Sequence, residues 1–375
     1  MASDDPPEDE PWHRRPRTGR QPRPRAFWAP LVLAGVICGL ALMTPKDFAV
    51  SRLLPAAPAL AASMWSVAAT VALGLLALAV VLIIEIVYNP DATSFTAAAI
   101  LAVTAAAAYA GHVRLQRERT LSQVRSVAMA AQSVVLRPMP HRLRDLGIET
   151  LYLAAAEEAR VGGDFYEALD TPHGVRLLMG DVRGKGLSAV GTAGAITNAF
   201  RDAAFEEPDL VAIARRLDRC MTRYSQTRND PTASAERFAT AVFAQIPPGS
   251  RSLDLLNCGH PPPLLLHDGG VRVLDPTDAS PPITMAALIG DAYTVDTLPL
   301  AAGDRLLLYT DGVTETRDRA GVFFPLAEWA GTQDAASPRA LLDALHHRLV
   351  RYSRGALDDD IAAMVIRVDG PATAV

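Results

Sequence analysis

Three apolar, nearly uncharged runs crowd the first third of the chain: Phe27 to about Met43, about Met64 to Val87, and about Ala92 to Gly111. Each approaches or exceeds the roughly 20 residues that span a bilayer, so they predict transmembrane helices. A fourth, short crossing or a re-entrant piece is expected at 48–63, where Arg52, Pro55 and Pro58 interrupt the apolar pattern. From Val113 the pattern turns amphipathic. Leu121, Val124, Ala128, Ala131 and Val135 recur at spacings of three and four, which makes one stripe on a helix. That helix, ended by Pro138 and Pro140, can lie on the following domain or pair with a second copy as a short parallel coiled coil.

Beyond Thr150 the period shortens to that of strands. Strand-like runs are Gly174–Met179, Phe238–Ile246, Leu253–Asn257, Pro263–Leu266, Val271–Leu274, Leu306–Thr310 and Ile361–Val368. Asp268-Gly269-Gly270 marks a hairpin. Two helices are expected on either side of Glu207-Pro208, within Leu187–Ser225, and another over Pro338–Tyr352. Strands in meanders with helices grouped, and not alternating one for one, predict an α+β fold with antiparallel sheets. The organisation expected is therefore a polar tail at 1–26, a transmembrane region at 27–112, a linker helix at 113–142 and one soluble domain at 143–370.

Composition changes this picture at the front and little elsewhere. Half of the 375 residues are hydrophobic, and the excess sits in the apolar runs. The tail has an acidic head and then Arg14, Arg15, Arg17, Arg20, Arg23 and Arg25 among prolines; it cannot bury a core and is expected to be disordered. Those arginines, and Arg114, Arg117 and Arg119 after the last run, place both flanks in the cytoplasm by the positive-inside rule. A multi-pass protein of the plasma membrane with a cytoplasmic soluble domain is expected. Cys38, Cys220 and Cys258 show no metal or disulfide spacing. No basic, aromatic run suggests nucleic acid as a partner, and the net charge is −5.

The candidate chemistry lies at strand ends. Gly162-Gly163-Asp164 precedes one strand, Gly180-Asp181-Val182-Arg183-Gly184-Lys185-Gly186 follows another, and Tyr309-Thr310-Asp311-Gly312 and Asp358-Asp359-Asp360 flank two more. Glycines beside carboxylates let the backbone approach a ligand closely. Gathering such charges is costly, since two of them about 4 Å apart repel by about 4 kcal/mol at a surface dielectric. Oxygen ligands without His or Cys select hard cations, Mg²⁺ or Mn²⁺.

Taken together, Val161-Gly162-Gly163-Asp164-Phe165-Tyr166, Asp181 to Leu187, Cys258-Gly259-His260-Pro261, Gly303 to Glu315 and Asp359 to Arg367 resemble the bacterial serine phosphatases typified by stage II sporulation protein E. These belong to the metal-dependent, type 2C protein phosphatases. The resemblance implies an αββα sandwich of two antiparallel sheets between helices, carrying two Mn²⁺ or Mg²⁺ ions. By position it makes Asp181 the bridging ligand, adds the Val182 carbonyl, gives Asp311 and Asp359 to the second ion, and lets Asp164 support the first directly or through waters. Asp358 and Asp360 are neighbours to which the Asp359 role could shift by one. Paired ions acidify a water and clamp phosphoryl oxygens, so no enzyme nucleophile is needed.

By the resemblance, Arg183 stands where the eukaryotic branch has a histidine that protonates the leaving serine; arginine cannot give up a proton, so either a metal-bound water acts as the acid or Arg183 steadies phosphate, the plainer reading being a solvated turn residue. His260, in a Pro-rich turn, is a candidate acid or a structural histidine. The implied function is hydrolysis of phosphoserine or phosphothreonine on a regulatory protein of anti-anti-sigma type. The alternatives are an inactive membrane signalling scaffold and a phosphohydrolase for a non-protein ester. The partners expected are that phosphoprotein, the membrane and, through the 113–135 helix, a second copy of the chain.

Overall fold

The computed structural model describes residues 25–43, 50–88, 93–154, 162–226, 238–333, 337–355, 357 and 359–369. The tail before Arg25, the residues 48–49 of the fourth apolar piece, Val161 and Asp358 lie outside the described residues. The chain divides into two compact units, Met1–Thr120 and Leu121–Val375.

The first unit is helical, with α1 (Ala29–Met43), α2 (Ala56–Ala61), α3 (Val67–Tyr88) and the first part of α4 (Thr93–Val135). Ile37, Ala77, Val81 and Ile100 are buried together. At Gly74 an added Cβ would fall 2.3 Å from the Thr104 side chain, so a small residue there sets how closely α3 and α4 approach. Among the described residues one helix is long and apolar enough to cross a bilayer, over Thr96–Gln123. The multi-pass expectation is supported only as far as this one candidate crossing. The first two apolar runs form α1 and α3, whose described side chains give shorter apolar stretches, Ala29–Ala41 and Val67–Ile83. The fourth piece becomes a 3₁₀ turn, Val50–Leu53, and the six-residue α2, which at 1.5 Å per residue is far short of a bilayer core of about 30 Å.

The second unit is the expected αββα sandwich. One sheet has the order β1 (Arg142–Leu143), β2 (Leu146–Leu153), β11 (Ile361–Val368), β10 (Arg305–Tyr309), β7 (Leu264–His267), β8 (Gly270–Val273). The other runs β3 (Phe165–Thr171), β4 (Gly174–Val182), β5 (Ala239–Ile246), β6 (Ser252–Cys258), β9 (Asp296–Pro299). The named strand pairs are antiparallel throughout.

Alternate side chains explain the layers. Leu177 and Met179 of β4 join Val242, Leu308 and Met364 between the sheets, while Leu178, with Phe165 and Phe243, turns out against helices α5 (Leu187–Glu206) and α6 (Leu210–Gln226). On the other side Leu307, Ala363 and Val365 pack on Leu341, Leu345 and Leu349 of α10 (Pro338–Tyr352). Short helices α7 (Ala286–Ile289), α8 (Asp311–Thr314) and α9 (Leu326–Gly331) sit in the connections.

The break at Glu207-Pro208 and the Asp268-Gly269 hairpin fall where the residues demand them, the latter with φ of 46° and 75°. The stripe helix is the end of α4. Leu121 is exposed, the side chains of Val124, Ala128 and Ala131 lie outside the described residues, and Val135 packs on the α5 cluster.

Candidate active site

Four chain segments bring carboxylates to one end of the sandwich, and glycines make the approach possible. Asp164 opens β3 and is buried. A Cβ on the preceding Gly163 would lie 2.5 Å from the Val182 carbonyl oxygen and 2.9 Å from Asp181 Oδ1, and one on Gly162 would lie 2.3 Å from Asp360 Oδ2. Real Cβ atoms do not approach so closely. Asp181 is the penultimate residue of β4, opposite Thr240 of β5.

Asp311 begins α8 directly after β10. The buried Thr310 hydroxyl donates to Asp164 Oδ2 at 3.0 Å and accepts from the Ala362 amide at 3.0 Å, so one residue ties β10, β11 and the Asp164 turn together. A Cβ on Gly312 would meet the Asp360 carbonyl oxygen at 2.0 Å.

The aspartates before β11 have different duties. Asp360 is buried, and its Oδ2 accepts from the Gly162 amide at 2.6 Å and from the Tyr152 hydroxyl at 2.8 Å. It fixes the glycine turn. Asp359 is half-exposed and faces the cluster, with Oδ1 accepting from Lys185 Nζ at 2.8 Å. Burial and then the charges of Asp311 and Asp359 push Asp181 up to about 7. Burial and then Asp181 hold Asp164 well above the usual carboxylate range. Asp311 is raised by burial, then by Glu315 and Asp359.

Lys185 offsets only part of this negative charge, and such a set fits a divalent cation. Among the described residues no three His, Cys, Asp or Glu side chains close on a single ion position.

Arg183 follows Asp181 on the exposed turn, its guanidinium 5.3 Å from the centre of the Phe238 ring and its amide donating to the Phe238 carbonyl at 2.9 Å. His260 is not placed as an acid. It is buried, with Nδ1 3.1 Å from Thr240 Oγ1 and its backbone bracketed by Asn257. Burial drops it to about 3, against a small opposing effect of the Tyr309 backbone, so it is neutral at ordinary pH. Sequence reasoning missed Tyr152, Thr310 and Asp360 as positioning residues. Only the hydroxyl of Thr310, inside the Tyr309-Thr310-Asp311-Gly312 motif, offered a local signal.

The family model described as stage II sporulation protein E matches residues 171–369, just over half of the chain. The chain belongs to that family. The match begins after Asp164, whose place in the site rests on the geometry above. Phosphoserine phosphatase RsbP of Bacillus subtilis is 28% identical over 222 residues, covering 58% of this chain and 51% of that protein. Protein IcfG of a Synechocystis strain is 27% identical over 236 residues, covering 56% of this chain and 37% of that protein. This chain thus spans about half, or less, of those relatives.

Among solved structures, the RsbU and RsbW domains of Rv1364c from Mycobacterium tuberculosis superpose with a TM-score of 0.50 at 27% identity, over 60% of this chain and 61% of that one. The SiaA-PP2C domain of Pseudomonas aeruginosa gives 0.54 at 20% identity, over 68% of this chain and 99% of that one. The second likeness establishes the PP2C-type fold of the domain.

Proposed function

We propose that the chain is a metal-dependent serine/threonine protein phosphatase acting on a phosphorylated regulatory protein of anti-anti-sigma type. The observation that carries this reading is the gathering of Asp164, Asp181, Asp311 and Asp359 around a turn where Gly163 leaves no room for a Cβ. Family membership and the phosphoserine phosphatase among its relatives support it.

In this reading Asp181, with the Val182 carbonyl and Asp164, would hold one Mn²⁺ or Mg²⁺ ion and, with Asp311 and Asp359, a second. When bound, such a pair supplies an acidified water and charge to stabilise the phosphoryl group in flight. The chain's own residues do the rest. Asp360, Thr310 and Tyr152 hold the turn, and Arg183, permanently charged and braced on Phe238, orients phosphoryl oxygens at the mouth.

The substrate class is tested by offering the purified full-length chain a phosphoserine protein, a nucleotide and a lipid phosphate with Mn²⁺ present. The phosphoprotein is expected to be hydrolysed at least about tenfold faster at equal concentration, and Arg183→Met to raise KM for it. A preference for the nucleotide or lipid ester would sink the protein-phosphatase reading.

Among the described residues the apolar part of α4 is the one helix long and apolar enough to serve as an anchor. Arg114, Arg117 and Arg119 near its C-terminal end favour a cytoplasmic catalytic domain. A reporter fused after Arg119 is expected to be active only in a cytoplasmic assay; activity from outside the cell would reverse this topology.

A further inference from the structure

The turn between β4 and α5 carries a lysine back over the carboxylates. Gly184 and Gly186 have φ of 107° and 88°, with nothing within 4 Å of where a Cβ would stand. These glycines serve backbone direction and not space, and between them Lys185 reaches Asp359, 174 residues away in sequence. The ammonium lies 2.8 Å from Asp359 Oδ1 and also acts on Asp311, whose rise it opposes. Those are the two carboxylates assigned above to the second ion.

We propose that Lys185 is a built-in counter-ion that holds the place of the second divalent cation and must be displaced when that cation binds. The inference rests on the reading of Asp311 and Asp359 as ligands of that ion. A monovalent cation on a flexible four-carbon stem can leave without any backbone change. The pair is roughly two-fifths exposed on both sides, so it is weak enough to yield. It still relieves part of the repulsion among Asp181, Asp311 and Asp359 while the site is empty. The second ion consequently binds against a competitor within the same chain, and the first does not, because Lys185 pairs with Asp359 and acts on Asp311 while Asp164 takes its hydrogen bond from Thr310. Loading of the second ion is thereby set to a higher metal concentration than loading of the first.

The test is an equilibrium Mn²⁺ titration of the full-length chain, with calorimetry and free-Mn²⁺ spectroscopy as readouts, for wild type, Lys185→Met, Asp359→Asn and the double variant. Lys185→Met keeps the length of the stem and removes the charge. It is expected to tighten the weaker ion about fivefold, the worth of a partly exposed ion pair, and to leave the tighter ion unchanged. It should also lower the thermal midpoint of the metal-free chain. The gain should shrink with added salt and vanish in the Asp359→Asn background.

If Asp359→Asn removes the weaker ion but Lys185→Met leaves its affinity unchanged or weaker, the lysine is not a competitor and the proposal falls while the metal reading stands. If Asp359→Asn retains both ions at wild-type affinity, the ligand assignment itself is wrong and the proposal falls with it. Lys185→Gln, shorter and polar, guards against a packing effect: it should tighten the weaker ion as Lys185→Met does, and a tightening confined to Met would overturn the charge argument.

Discussion

Asp181→Asn is expected to reduce hydrolysis by about a thousandfold or more, the loss of several kcal/mol of charge stabilisation, while making the metal-free domain more stable at alkaline pH. The two effects have one cause. Folding places Asp181 where burial and the charges of Asp311 and Asp359 raise it to about 7, against an unfolded value near 3.9. A carboxyl raised on folding contributes stability that is fully present below the unfolded pKa and is lost as pH rises through the folded one. Metal-free wild type should therefore lose stability between about pH 4 and pH 7.

An asparagine carries no such charge and escapes part of that loss. Thermal unfolding in chelator at pH 8 should show the variant unfolding at least about 2–4 °C above wild type, with the gap closing at pH 4. Lower stability of the variant at pH 8 would mean that Asp181 is paired in the fold and not held in reserve for a cation.

Gly163→Ala should be nearly as damaging although it removes no functional group. Its Cβ would meet the Val182 carbonyl oxygen at 2.5 Å, Val182 Cβ at 2.8 Å and Asp181 Oδ1 at 2.9 Å. The first contact is with backbone in a strand paired on both sides, so the Asp164 turn must retreat. A displacement of about 1 Å at reacting groups costs about a hundredfold in rate, and forcing a methyl into a filled space costs about 1–3 kcal/mol.

Gly249→Ala is the control. Gly249 has φ of 66° but open space around it, and it follows the end of β5 that points away from Thr240. It should destabilise by about 1–2 kcal/mol and leave the rate unchanged. Equal activity of Gly163→Ala and wild type would show that the turn is not close to the reacting centre.

The strand ends that carry the carboxylates were legible because apolar runs stop there at Asp-Gly or Gly-Gly-Asp, and turn chemistry is local. Pro338 at the first turn of α10, behind the Ser337 cap, was legible for the same reason. The strand β2 was not. Leu146–Leu153 mixes Glu149 and Thr150 into its apolar positions, and its pairing partner is β11, more than 200 residues on. Likewise β9 is four residues with a proline, and its place in the sheet comes from pairing with β6, some forty residues earlier.

The distinction between Asp359 and Asp360 could not be drawn from neighbours in a run of three. It depends on Gly162 and Tyr152 claiming Asp360 from two other segments. Apolar runs in the first unit also begin ahead of the helices they predict. The second apolar run opens on Met64 and Trp65, while the helix begins only at Val67.

The most direct measurement is phosphate release from a phosphoserine protein by the full-length chain before chelation, after chelation and after Mn²⁺ or Mg²⁺ is restored. The cluster of carboxylates, offset only in part by Lys185, predicts activity that disappears with chelator and returns with either ion in wild type, but not in Asp181→Asn. Hydrolysis that continues at the same rate in chelator would contradict the account.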